Sequence, residues 1–303
     1  MAKVFIATTS FGEDDASVLK GLQDAGFDYT LNPLRRRLDA REIGEFLVSG
    51  GYEGLLAGLE PLTKDVLVAA KSLKVISRVG VGMDNVDQAA AKELGIKVFN
   101  TPGVLTDSVA ELALGLILSA LRKIAVSDRK MHAGQWDKKM GVLLKGKAVG
   151  VVGFGAIGQR VAELCMAFGA DVIFTDVRTI QKAGAQQVPF ETMVRDADVI
   201  TLHSSGKECL IAEEQIAAMK EGVVIINTAR GALIDEAALL DGLLSGKVGG
   251  AALDVFGKEP YQGPLAAQDN VILTPHVGSY ARDARMVMEK MAVENLIRGL
   301  GKV

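Results

Sequence analysis

The chain has few of the residues on which disulfide-stapled or metal-held folds depend. Its 303 residues include only two cysteines, Cys165 and Cys209, in no metal-ligand spacing and too few for a disulfide framework. No metal and no oxidising compartment are therefore expected. Cys165, among Ala, Leu and Met at helical spacing, reads as core. Aromatics are scarce at 5%. An excess of one charge is missing too. The formal net charge of −3 gives no electrostatic footprint for nucleic acid or an anionic membrane. The basic run Arg35-Arg36-Arg37 is short, is followed by Asp39 and Glu42, and reads as a solvated turn. The longest apolar run, Leu112 to Leu121, is far too short to span a bilayer. MAKVFIATTS enters a strand directly, without the features of a signal peptide. A soluble, cytoplasmic protein is the expectation.

What the chain does have is 49% hydrophobic residues, 23% charged residues and 34 glycines. That is the balance of an α/β protein with Val/Ile/Ala-rich strands and many tight turns. Its length predicts two domains. Strand-like runs such as KVFIATT (3–9), AVGVVG (148–153), VVIINT (223–228) and NVILTP (270–275) alternate with helical patterns such as DEAALLDGLLSG (235–246). Such alternation implies βαβ units, and hence two doubly wound parallel-sheet domains. Near residue 101 the pattern changes: one long helix is expected over 106–133, with no strand of its own. The predicted organisation is a first domain over 1–100, onto which a C-terminal helix over 281–303 packs back, and a second domain over 101–280.

After AVGVVG comes Gly153-Phe154-Gly155-Ala156-Ile157-Gly158. A GxGxxG alone is weak, but here it follows a strand and opens a helix, as a dinucleotide site requires. Gly153 permits the turn, Gly155 lets a pyrophosphate approach the backbone, and Gly158 lets helix and strand pack closely. The N–H groups at the start of that helix then hold phosphate. The next strand ends at Asp176, where such a fold carries its ribose-binding acid. A carboxylate there favours NAD over NADP, while Arg178 two residues on raises the opposite possibility.

In a doubly wound sheet, ligands bind beyond the carboxyl ends of the strands. VVIINT runs into Ala229-Arg230-Gly231, GAALDV into Phe256-Gly257-Lys258-Glu259-Pro260, and NVILTP into His276, one of only three histidines. Each alone reads as a packing, capping or surface residue. Together they put an arginine, a carboxylate and an imidazole on the cofactor edge.

The motifs RVGVGMDNVD (78–87), VAELALGL (109–116), VGFGAIGQ (152–159), NTARGALIDEAAL (227–239), ALDVFGKEP (252–260) and TPHVGS (274–279) resemble the D-isomer-specific 2-hydroxyacid dehydrogenase family, in its 3-phosphoglycerate dehydrogenase-like branch. The match covers most of 52–300, and the first fifty residues fit only in general pattern. The resemblance implies a flavodoxin-like substrate domain, a Rossmann NAD-binding domain, and hydride transfer between NAD(H) and a small D-2-hydroxy or 2-keto acid. It implies that Arg230 grips the substrate carboxylate and 2-oxygen, that His276 is the general acid/base, and that Glu259 pairs with and orients the imidazole. It makes Gly153, Gly155, Ala156, Ile157, Gly158, Asp176, Thr106, Thr228, Ala229, Asp254 and Gly278 cofactor contacts, with Asp254 at the nicotinamide carboxamide. The Val81 and Gly82 N–H groups would hold the substrate carboxylate. His132 and His203 are left as structural. The loop Ser204–Glu208 is shorter than the family's.

The phosphoglycerate enzymes of this kind carry Arg-Ser where this chain has Gly58-Leu59, which leaves Arg78, Lys138 and Lys139 as phosphate partners. Phosphite-oxidising relatives use lysine where Val81 stands. The Gly58-Leu59 pair weakens 3-phosphoglycerate without excluding it. Small polar 2-keto acids such as hydroxypyruvate or glyoxylate are compatible with the sequence, which selects none of them. The long apolar helix, hard for one subunit to cover, implies a homodimer. The alternative is a protein resembling the C-terminal-binding corepressors, an NAD(H)-dependent partner-binding dimer with little turnover.

Overall fold

The computed structural model describes residues 2–206 and 208–301. Met1, Lys207, Lys302 and Val303, the last two within the helix expected over 281–303, lie outside the described residues. The chain divides into two compact units, Met1–Leu105 with Ser279–Val303, and Thr106–Gly278.

In the first unit, β1 (Ala2–Ile6), β2 (Phe27–Leu31), β3 (Gly54–Ala57), β4 (Val75–Arg78) and β5 (Lys97–Phe99) form one sheet. Its strands pair in parallel among the described residues, in the order β2-β1-β3-β4-β5. That is the flavodoxin-like order, with its switch point between β1 and β3. The crossings are α1 (Ser17–Asp24), α2 (Ala40–Gly50), α3 (Lys64–Ala69) and α4 (Gln88–Glu93). α2 shows how locally these are encoded. The Asp39 carboxylate accepts from Glu42 N–H at 2.8 Å, and the Glu42 carboxylate accepts from Asp39 N–H at 3.0 Å. Gly51, at φ 62°, then ends the helix. Such a capping box satisfies donors that the first turn would otherwise leave unpaired.

The second unit opens with α5 (Thr106–Arg122) and α6 (Ile124–His132). Its seven strands are β6 (Ala148–Val152), β7 (Asp171–Thr175), β8 (Ala185–Gln187), β9 (Val199–Leu202), β10 (Val223–Asn227), β11 (Val248–Leu253) and β12 (Val271–Leu273). They lie parallel in the order β12-β11-β10-β9-β6-β7-β8. The helices between them are α7 (Ala156–Ala167), α8 (Phe190–Asp196), α9 (Glu213–Ala218) and α10 (Glu236–Ser245). Helices cover both faces, so the central strands are buried throughout and mostly apolar. Every residue of β9 and β10 is buried, and each large apolar side chain so buried contributes about 1.5–3 kcal/mol. Phe154 and Phe174, both fully buried, stack at 3.6 Å between centroids and anchor the glycine loop to β7.

The last helix, α11 (Arg282–Gly299), belongs to the first unit. Ser77 Oγ donates to the Ala292 carbonyl at 2.8 Å and Lys97 Nζ to that of Gly299 at 2.9 Å.

Three local expectations need correction. The helix expected over 106–133 is two helices, broken at Lys123, whose φ is 57°. Its ammonium donates to the Gly249 carbonyl at 3.1 Å. A tertiary bond thus holds a lysine in the left-handed conformation that glycine usually takes at a helix end, and no glycine or proline marks the break. Strands β2 and β8 had no counterpart among the expected strands, because both are edge strands in which few residues are buried. Finally, α5 is covered within its own unit. Its Ala113, Leu116, Ile117 and Leu121 share a core with Phe154, Val161 and Ile226, so this helix does not require a second subunit.

Candidate active site

In the second unit the strand order reverses at β6, between β7 and β9, and the carboxyl edge there carries the glycine loop. Gly153 has φ 86°, and a Cβ on it would sit 2.7 Å from Ser204 N. A Cβ on Gly158 would run into the Gly153 carbonyl oxygen, whereas one on Gly155 would meet nothing within 4 Å. Two of the three glycines are therefore demanded by packing, and the third leaves the backbone open to a ligand. Gly155 is the N-cap of α7 and supplies no side-chain cap, so the first N–H groups of Ala156 and Ile157 face out of the helix start.

Asp176, just beyond β7, accepts from Phe154 N–H at 2.7 Å and Arg178 N–H at 3.0 Å. Arg178 also lays its guanidinium on the carboxylate, with Nε 3.1 Å from Oδ1 and Nη2 3.4 Å from Oδ2. The Arg178 side chain beside it holds Asp176 down to about 2, so the acid is ionised at any working pH.

Two buried polar atoms on the same edge have no partner among the described residues, Thr228 Oγ1 and His203 Nδ1. Thr228 follows β10 and His203 follows β9. His203 Nε2 lies 2.8 Å from Thr201 Oγ1. Burial pushes its imidazole down to about 3, so the ring stays neutral and offers polarity without charge. In the short loop after it, Gly206 N–H donates to Ser204 Oγ at 3.1 Å. Orphaned polar atoms beside an open glycine cradle and an ionised acid are what a dinucleotide would satisfy. The residues present fit NAD.

Further along the edge, Asn227 shapes the turn that presents Arg230. Its Oδ1 accepts from Ala229 N–H at 3.0 Å and its Nδ2 donates to the Arg230 carbonyl at 2.8 Å. A Cβ on Gly231 would collide with the Phe256 carbonyl group, so glycine is what lets the Arg230 turn lie against the loop bearing Glu259. That carboxylate meets the His276 imidazole, with Nδ1 at 3.0 Å from Oε2 and 3.2 Å from Oε1. His276 itself has φ 55°, uncommon for a non-glycine residue.

What holds it there is Asp254, 1% exposed. Its Oδ1 accepts from Thr274 Oγ1 at 2.6 Å and Val277 N–H at 2.8 Å, and its Oδ2 accepts from Gly278 N–H at 2.9 Å. Ser108 Oγ donates to the Gly278 carbonyl at 2.5 Å, and Thr106 begins the same helix, α5. The supporting residues Asn227, Thr274 and Ser108 were not singled out from the sequence. The first two stand inside the quoted motifs NTARG and TPHVGS, and that was their only signal. Of the other singled-out groups, His132 is exposed on α6 and Cys165 is core, its thiol pushed up by burial to about 12.

In the first unit, the loop after β4 is tied by side chains. Gly80 N–H donates to Thr101 Oγ1 at 3.0 Å, and Asn100 Nδ2 to the Val81 carbonyl at 2.8 Å. Asn85 Nδ2 donates to the carbonyls of Gly58 and Glu60 at 3.2 and 2.8 Å, which fixes this loop to the one after β3. Arg78 is buried, with Nη1 on the Val79 carbonyl. Glu60 is 1% exposed, with both oxygens on Gly58 N–H, and burial raises its pKa. Lys139 is paired with Asp137 at 3.1 Å.

Among the described residues, no helix is long and apolar enough to cross a membrane, and no cluster of three His, Cys, Asp or Glu side chains could hold a metal. Residues 114–278 match the model of the D-isomer specific 2-hydroxyacid dehydrogenase NAD-binding domain. The chain is 43% identical over 250 residues to the hydroxypyruvate reductase of Thermotoga maritima, covering 79% of this chain and 82% of that one. It is 42% identical over 244 residues to the D-3-phosphoglycerate dehydrogenase of Archaeoglobus fulgidus, covering 77% of this chain but only 46% of that longer protein. The crystal structure of the TT0316 protein from Thermus thermophilus superposes with a TM-score of 0.90 at 36% identity, covering 98% of this chain and 96% of that one. Sequence, sheet topology and the edge on which these side chains gather agree: the chain belongs to the D-isomer specific 2-hydroxyacid dehydrogenase family and is an NAD-dependent oxidoreductase.

Proposed function

We propose that the chain interconverts a small, polar 2-keto acid and its D-2-hydroxy acid, with His276 as general acid/base, Glu259 as its orienting partner and Arg230 as the substrate clamp. The bound nicotinamide supplies hydride to the substrate C2, or accepts it. A carboxylate only accepts hydrogen bonds, so the Nδ1 facing Glu259 carries a hydrogen and Nε2 is the atom that exchanges a proton. In reduction, Nε2–H protonates the 2-oxygen, and in oxidation the neutral Nε2 removes that proton. The Arg230 fork suits a carboxylate and adjacent oxygen, since a guanidinium binds two oxygens in a fixed plane. The N–H groups of Val81 and Gly82 serve as carboxylate donors, and neither bonds to an acceptor among the described residues. The observation that carries this reading is the Glu259–His276 pair at 3.0 Å, at the end of the strands that follow the dinucleotide loop.

For the substrate, the loop after β3 favours hydroxypyruvate or glyoxylate over 3-phosphoglycerate. Gly58, Leu59 and a buried carboxyl, Glu60, offer nothing to neutralise a phosphate. NADH oxidation by the purified chain against hydroxypyruvate, glyoxylate, pyruvate and 3-phosphohydroxypyruvate tests it. Turnover is expected to be fastest on one of the first two. Tight NADH binding with no turnover on any acid would defeat the enzyme reading and point to the partner-binding alternative.

We further assign a homodimer and a cytoplasmic location. The support for the dimer is one segment that leaves three large apolar side chains, Trp136, Met140 and Leu143, at 79%, 95% and 65% exposure, area that a subunit interface would cover. Light scattering should return twice the 32.0 kDa chain mass, and a monomer at micromolar concentration would contradict this. Two unpaired cysteines support a reducing compartment.

A further inference from the structure

The acid expected to receive the cofactor ribose already has an occupant. Asp176 uses one oxygen for Arg178 Nε and the other for Nη2, in addition to its two backbone donors. The carboxylate is largely covered, at 8% exposure, while the arginine side chain covering it is 64% exposed. The backbone of this turn does not share the freedom of its arginine. Gln187, on the neighbouring β8, donates Nε2 to the carbonyls of Asp176 at 3.1 Å and Arg178 at 2.8 Å. Its Oε1 accepts from Ile180 N–H at 2.9 Å. One amide thus clamps the turn at three points, and what remains able to swing is the guanidinium. Between the two charged residues, Val177 stands fully exposed, so no side chain of the described protein packs over the hinge.

We propose that Arg178 is a built-in competitor for the ribose end of the cofactor, which occupies Asp176 in place of a 2′-hydroxyl and turns away to pair with a 2′-phosphate. The inference rests on the NAD site described above and adds to it a residue that sets the choice of cofactor. For NADH, the ribose must displace the guanidinium from both carboxylate oxygens, so Arg178 weakens binding. For NADPH, the phosphate would be repelled by a bare carboxylate, and the same guanidinium, released from Asp176, supplies the charge-assisted bonds that offset the repulsion. One side chain therefore acts with opposite signs on two cofactors that differ only at the 2′ position. Arg178 narrows the preference for NADH rather than creating it.

The test is calorimetric titration of the wild-type chain and Arg178→Ala with NADH and with NADPH, without substrate. Arg178 is exposed, so the variant is expected to fold, and its circular dichroism spectrum checks that. An exposed ion pair returns little on release, so the variant should bind NADH about two- to fivefold tighter. It should bind NADPH about tenfold more weakly or worse, as expected for the loss of a charge-assisted partner. Raising the salt concentration should shrink the gain for NADH, because it screens the Asp176–Arg178 pair in the wild type. Arg178→Lys keeps the charge but loses the fork, and is expected to fall between the two. Affinities that move in the same direction for both cofactors, or that do not move, would overturn the inference while leaving the NAD site standing. A wild-type chain that bound neither dinucleotide would overturn both.

Discussion

Two aspartates end strands of the second unit, and they are held in opposite ways. Asp254, after β11, is sealed from solvent, and its donors come from a single short stretch, Thr274–Gly278. Asp176, after β7, also takes two backbone N–H groups, but its remaining lone pairs go to an exposed arginine that can leave. The first arrangement fixes a backbone, and the residue it fixes is His276 at φ 55°. The second keeps a binding position filled by something replaceable. One sheet edge thus separates two tasks. On the proposed function, the end where a proton would move is the rigid one, since small misplacements there cost rate steeply. On the same proposal, the end that would grip the far part of the cofactor is left exchangeable.

The sharpest way to break this contrast is Asp254→Ala. It strands the Thr274 hydroxyl and the N–H groups of Val277 and Gly278, and an unsatisfied buried donor costs about 1–3 kcal/mol. Each kcal/mol lowers Tm by about 2–4 °C in a domain of this size, so thermal unfolding should fall by several degrees. With the His276 backbone released, kcat should drop about 10²-fold. Wild-type Tm and kcat in this variant would show that the carboxylate is not what holds the loop. At the other end, Arg178→Ala should change dinucleotide affinity only severalfold and should leave Tm close to wild type. A loss of stability there comparable to that of Asp254→Ala would erase the distinction between a fixed and an exchangeable acid.

Much of this was legible in the sequence because short-range chemistry wrote it. GxGxxG needs its glycines for reasons internal to one turn, and the structure gives each a distinct steric or open role. Arg230, Glu259 and His276 each follow an apolar run, and parallel strands put such positions on one edge without further information. What the sequence could not reveal depends on partners far along the chain. Lys123 breaks a helix through a bond to Gly249. The edge strands β2 and β8 bury too few residues to produce an apolar run. Asp254 could be singled out from its motif, but its grip on the His276 loop crosses about twenty residues. Arg178 stands two residues from Asp176, yet only the folded chain shows the guanidinium lying on both oxygens while Gln187 fixes the backbone beneath it.

The measurement that bears most directly on the central claim is His276→Ala, with NADH affinity by calorimetry and kcat on the best 2-keto acid determined on the same preparation. General acid/base catalysis typically contributes about 10²–10⁴-fold. The account predicts a loss of kcat in that range with NADH affinity close to wild type, because His276 is paired with Glu259 at a strand end separate from the glycine loop. Turnover that survives the substitution undiminished would contradict it and remove His276 from the proton transfer.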